Sequence, residues 1–144
     1  LSFEKEGCKL RGNIFELTFV LLLLCAITLT FSVQVIKAEP ATIIVPDNYP
    51  TIQGAINAAG FGDVIYVRAR TYYEHLVVDK GISLVGENTL STIIDGGGVD
   101  TVVYVTASHT SIRNFTVRNS GVEWLNSGIR LNGVSNCTIQ NNLG

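Results

Sequence analysis

The fold class this sequence predicts is all-β: a parallel β-helix, or solenoid, closed at one end by a short helix. Three observations predict it. After residue 62 the chain reads as three- to five-residue β-branched stretches separated by glycine- and asparagine-rich turns. Neither two-residue Asn-Gly hairpins nor crossover helices join these stretches, whereas a sandwich or barrel of this length would show clearer hairpin turns. Apolar and asparagine positions also recur. At an offset of 27, Val102 matches Ile129, Tyr104 matches Leu131, Ile112 matches Ile139 and Asn114 matches Asn141. The offset is long for one coil, and "SGVEWLNS" accounts for the excess as a loop bulging from a turn.

Residues 1–38 form a segment of their own. Lys5, Lys9 and Arg11 precede an uncharged run from Leu17 to Ile36, whose centre is "FVLLLLCAITL". A positive flank followed by an apolar stretch and a small-residue exit at "VIKAEPA" reads as a signal peptide cleaved after Ala38. The run is also long enough to remain as a membrane anchor over residues 17–36. Either way the rest of the chain is expected to be exported, to a surface, periplasmic or extracellular location. Leu24, where a small residue would precede Cys25, argues against a lipoprotein signal.

From Glu39 onward six Lys and Arg face nine Asp and Glu, and no basic block exists, so nucleic acid is not an expected partner. Cys8 and Cys25 lie in the targeting segment. Cys137 alone remains, which excludes an internal disulfide in the exported part.

Residues 39–62 should carry a strand at Thr42–Val45, a turn at "PDNYP" and the helix "TIQGAINAA". Thr51 is the expected N-cap. Ile52, Ala55, Ile56 and Ala59 fall on one apolar face, Gly54 weakens the helix, and Gly60 and Gly62 end it. Residues 63–144 should then supply the coils. Strands are expected at Asp63–Val67, His75–Val78, Ile82–Val85, Thr92–Ile94, Thr101–Val105, Ser111–Val117, Gly128–Leu131 and Cys137–Gln140. A one-sided helix must lie on something apolar. A stack of coils exposes an apolar cross-section at each end, so the helix is expected to cover the first coil.

The stretch "IIVPDNYPTIQGAINAAGFGDVIYVRARTYYEHLVVDKGISLVGENTLSTIIDGGG" resembles the N-terminal part of right-handed parallel β-helix proteins of the pectin-lyase-like superfamily. It is most similar to the NosD-like, carbohydrate-binding and sugar-hydrolase (CASH) repeat group. The resemblance covers about Thr42 to Asn142 and implies a carbohydrate-associated binding or scaffold module. Its alternatives are the N-terminal part of a polysaccharide-processing enzyme (a pectinesterase, lyase or glycoside hydrolase), with its active site beyond residue 144, and a structural cell-surface repeat protein. The chain stops at "CTIQNNLG" within a coil, so further coils are expected to follow, and an open last coil would pair with itself or another chain. Where the family usually has glycine before "TYYE", Arg70 stands, a strained choice if that site needs a positive φ.

"TYYEHLVV" resembles the Gly-x-Tyr-x-Glu stretch of pectinesterases, with Tyr72 and Glu74 matching. In that family the catalytic residues lie on later coils, so a role in pinning the first turn is favoured and sugar contact is the alternative. Asp95 and Asp100 flank "GGGV" and are the candidates for an acid pair or a Ca²⁺ site, against the plainer reading of a polar turn. Glu123 and Trp124 occupy a loop where an indole can stack on a sugar ring or fold back onto the coil. Some NosD-like proteins are copper-associated, but His75, His109 and Cys137 are scattered without ligand spacing and the chain has no Met, so copper is not expected. Asn114, Asn119, Asn132 and Asn141 suit left-handed turns and stacked ladders. "NFT" at Asn114 and "NCT" at Asn136 also match the N-glycosylation pattern. Turn use is favoured at Asn114 and both uses stay open at Asn136.

Overall fold

The computed structural model describes residues 16–23 and 39–144. Residues 16–23 are helical and exposed, and they belong to a unit separate from Glu39–Gly144. Most of the expected signal peptide or anchor lies outside the described residues. Among the described residues no helix is long and apolar enough to cross a membrane.

Glu39–Gly144 is a parallel β-solenoid of about four turns. Its strands are β1 (Thr42–Val45), β2 (Val64–Val67), β3 (Arg70–Tyr73), β4 (Leu76–Val78), β5 (Ser83–Gly86), β6 (Thr92–Asp95), β7 (Val103–Val105), β8 (Ser111–Arg113), β9 (Thr116–Arg118), β10 (Ile129–Leu131) and β11 (Thr138–Gln140). Three coils are complete: β2–β3–β4, β5–β6–β7 and β8–β9–β10. Each strand pairs in parallel with its counterpart one coil later, giving sheets ordered β1-β2-β5-β8-β11, β3-β6-β9 and β4-β7-β10. Alternation decides what faces in. Ile65, Leu84 and Ile112 stack in register in the first sheet, and all are fully buried. Tyr72, Ile94 and Val117 do the same in the second, and Leu76, Val78, Val103 and Val105 in the third.

Most expected strands are present with ends moved by one or two residues, and two corrections have clear causes. The expected strand Ser111–Val117 is two strands. Asn114 between them sits at φ 64, so the chain turns a corner there and Phe115 drops fully buried into the core. A strand at Arg70–Tyr73 was not expected. Arg70 is its first residue, pairs with Thr92 and does not take a positive φ, so the strain anticipated from the missing glycine does not arise.

The register also differs from the expected repeat. Ile139 pairs Ile112 at the expected offset, but Ile129 pairs Val103 rather than Val102, and Leu131 pairs Val105 rather than Tyr104. The turn 132–137 is one residue longer than its counterpart 106–110 and takes up the difference. A one-residue slip exchanges the two faces of a strand. Tyr104 therefore points outward, opposite Arg130. Left-handed residues recur at the corners, as expected for Asn114, Asn119 and Asn141 (φ 64, 55 and 52), and also at Asn136 (φ 55). At the last expected turn the positive φ falls on Gly133 rather than on Asn132. The Asn142 side chain also spans successive coils. Its Oδ1 accepts from the Phe115 N–H at 3.0 Å and its Nδ2 donates to the Ile112 carbonyl at 3.0 Å.

The helix spans Ile52–Ala58 and lies over the first coil as expected, with Ile52, Ala55, Ile56 and Ala59 buried. The Thr51 hydroxyl accepts from the Gly54 N–H at 3.1 Å. A Cβ on Gly54 would lie 2.8 Å from that hydroxyl, so the glycine that weakens the helix also leaves room for its cap.

The solenoid grips this helix at both ends. The Glu74 carboxylate accepts from the Ile52 and Gln53 N–H groups, at 3.0 Å each, where the helix dipole favours a negative charge. The Lys80 ammonium donates to the carbonyls of Ile56, Asn57 and Ala59, at 3.1, 2.6 and 2.9 Å. Between them the Gln53 amide accepts from the Val77 N–H at 2.8 Å and donates to the Val77 carbonyl at 3.3 Å, as a neighbouring strand would. The Val77 N–H and carbonyl on the open edge of β4 are thus satisfied by a side chain.

Candidate functional site

The core strands are short and uniform; the corners between them are not. The corner joining the second and third sheets lengthens from residues 74–75 to 96–102 and then to 119–128. These connections adjoin one another in successive coils. The Gly121 N–H donates to the Asp100 carbonyl at 2.8 Å, and the Gly98 N–H to the Asn119 carbonyl at 2.8 Å.

Asp95 anchors the base of this corner. Its carboxylate is buried. It accepts from the Gly97 N–H at 3.0 Å, from Asn119 Nδ2 at 2.9 and 3.0 Å, and from Arg118 Nε at 2.8 Å. The Gly97 N–H first, then Asn119 and then Arg118, hold its pKa below the ordinary 3.8. A carboxylate so committed ties two coils together. Asp100, its expected partner for acid-pair chemistry or Ca²⁺, is exposed at φ 46 on the far side of the glycine turn.

Above this base stands the loop 119–128. Glu123 is exposed and its carbonyl accepts from the Asn126 N–H at 2.8 Å, closing a tight turn. That turn lifts Trp124 to 89% exposure and Val122 to 96%. The indole does not fold back onto the coil. Arg130 Nη1 donates to the Leu125 carbonyl at 3.2 Å and its guanidinium lies 5.7 Å from the Tyr104 ring centroid. Register sets Val77, Tyr104 and Arg130 in one outward row on the third sheet, beside the loop. Sequence reasoning missed Tyr104 and Arg130 because the one-residue offset assigned Tyr104 to the same face as its buried neighbours.

Tyr72 ends inside the coil, and Glu74, in the first and shortest connection of this corner, is turned to the helix. Tyr72 is buried, its hydroxyl donates to the Arg68 carbonyl at 3.1 Å, and burial pushes its pKa above the usual value. Glu74 holds the helix. His75 Nδ1 lies 3.0 Å from the Thr101 carbonyl, and His109 stacks edge-on with Phe61, with centroids 6.2 Å apart. Cys137 Sγ lies 3.6 Å from the Ala107 carbonyl. Among the described residues no group of three or more His, Cys, Asp or Glu is arranged to hold a metal ion.

No family model matches the chain, and no curated protein matches it. Among solved structures it is similar to a crystal structure of pectin methylesterase in complex with a hexasaccharide, at 19% identity and a TM-score of 0.49 over 60% of this chain. The match spans about a third of that protein's length, 32%.

Proposed function

We propose that this chain is a NosD-like, exported β-helix module that binds carbohydrate through the corner formed by residues 119–128 and the adjoining row Val77, Tyr104 and Arg130. One observation carries this reading. Trp124, the chain's single tryptophan, is held almost fully in water on a loop whose stem is fixed by Asp95, Arg118 and Asn119. A large apolar ring kept in solvent by a fixed stem fits a stacking contact with a sugar face. Glu123 beside it offers an acceptor for sugar hydroxyls, and the resemblance to the carbohydrate-binding and sugar-hydrolase repeat group agrees with that ligand class.

The enzyme alternative receives less support from these residues. Asp95 and Glu74 are both engaged in structural hydrogen bonds, so neither is free to act as a catalytic acid or base.

The lone indole supplies its own assay. Titration with a panel of neutral and acidic oligosaccharides should shift and quench Trp124 emission saturably, and Trp124→Ala should lose retention on the matching polysaccharide gel while unfolding at an unchanged midpoint. An emission spectrum indifferent to the whole panel, with equal retention of wild type and variant, would sink the proposal.

A further inference from the structure

The sequence offers two N-glycosylation patterns, and the fold treats them differently. We infer that Asn136, and not Asn114, is an N-glycan attachment site. The inference rests on the export reading proposed above, because the modifying machinery acts on exported chains.

Asn114 is a half-buried corner residue between β8 and β9. The hydroxyl of its pattern threonine, Thr116, donates to the Thr89 carbonyl at 2.7 Å, and the next residue, Phe115, is fully buried. Presenting Asn114 to an enzyme would mean withdrawing that hydroxyl from its bond and Phe115 from the core.

Asn136 lies in the turn between β10 and β11, exposed, at φ 55, and the threonine of its pattern, Thr138, is exposed too. Neither side chain makes a hydrogen bond within the described residues, whereas the backbone around them is held. The Ser135 N–H donates to Ser108 Oγ at 3.0 Å, the His109 N–H to the Ser135 carbonyl at 3.1 Å, and the Thr138 N–H to the Thr110 carbonyl at 2.9 Å. The fold fixes the turn and leaves its amide in water. His109, one coil earlier, occupies the matching left-handed, exposed position. A glycan here would project outward. The turn leaves β10 at the end opposite the loop 119–128, so the glycan would stand clear of Trp124.

The donor class is a polyprenyl-diphosphate-linked oligosaccharide. The Asn136 amide nitrogen forms a bond to the anomeric carbon, the carbon–oxygen bond to the lipid diphosphate breaks, the amide gives up one proton and the lipid diphosphate leaves. No electrons are exchanged.

The test is to express the full chain in a glycosylating secretory host, recover it from the medium or the secretory lumen, and map glycopeptides by mass spectrometry with and without peptide N-glycosidase. The expected result is a glycan on Asn136 and none on Asn114. It should be lost in Asn136→Gln and in Thr138→Ala, which leaves the turn's left-handed residue untouched, and retained in Asn114→Gln. Occupancy of Asn114, or a bare Asn136 on recovered protein while a control glycoprotein from the same culture is modified, overturns the assignment. A chain that never enters the secretory route overturns the export reading along with it.

Discussion

Glu74→Ala is the substitution that most directly tests how the solenoid holds its cap. The side chain accepts two backbone N–H groups at the start of the helix, both at 3.0 Å. A hydrogen bond to a charged acceptor contributes about 1.5–3 kcal/mol, and partial exposure puts each of these toward the lower end. The pair together should therefore be worth about 3–4 kcal/mol, much of it the cost of leaving two half-buried donors unpaired. For a folded unit of this size each kcal/mol moves the melting temperature by roughly 3–6 °C. Thermal and urea unfolding followed by circular dichroism should show the loss, and hydrogen exchange should show where it falls. The amides of Ile52 and Gln53 should lose protection first and most, because the cap opens before the coils do. Glu74→Gln should recover part of the loss, since one oxygen can still accept. The Trp124 emission spectrum should stay unchanged in both variants, because the loop 119–128 does not touch the cap. A destabilisation under about 0.5 kcal/mol, the ordinary range of a surface change, with unaltered exchange at residues 52 and 53, would refute the capping argument.

Two further predictions rest on other contacts of the coils. Gly86→Ala should destabilise by about 2–4 kcal/mol, since its Cβ would overlap the Asn114 carbonyl and lie 3.2 Å from Thr92 Cβ, with backbone on one side and a packed side chain on the other; urea titration of the purified variant measures it. Acid should loosen the coils. Asp95, Asp63 and Asp47 all have pKa values lowered from 3.8, by the Gly97 N–H with Asn119 and Arg118, by the Gly60 and Ala41 N–H groups, and by the Arg68 guanidinium respectively. Depressed carboxylates contribute stability that is complete above their unfolded pKa and lost as pH falls through the folded one. Urea midpoints should therefore be flat from neutrality to about pH 5 and drop below about pH 4, and Asp95→Asn should flatten that drop.

The cap was legible from residues alone. A threonine N-cap, four apolar positions on one face and a run of strands without hairpins leave few other arrangements, and the observed burial of Ile52, Ala55, Ile56 and Ala59 follows that pattern. Illegible from sequence were the contacts that cross coils. Glu74 reaches 22 residues back to Ile52, Lys80 reaches 24 back to Ile56, and Gln53 reaches 24 forward to Val77; no local spacing announces them. The Tyr104–Arg130 pair stayed hidden for a different reason. Counting residues between repeats averages over turn and strand, and one extra residue in a turn cancels against a loop elsewhere, leaving the total plausible and the face wrong. Trp124 was visible as a candidate because an indole on a loop bulging from the coil can stack on a sugar ring, but spacing alone left open whether it would instead fold back.

The corner that grows from residues 74–75 through 96–102 to 119–128 does so while the strands beside it keep three or four residues. Closing a longer loop costs only the logarithm of its length, and here each loop begins and ends on strands already aligned by their neighbours. Novelty can therefore accumulate at this edge almost without tax on the rungs beneath. A tryptophan, a carboxylate or a whole inserted finger alters what the surface says and leaves the grammar of the coil untouched. The stack behaves as a rack with interchangeable fittings, and its history of change should be written along that one edge.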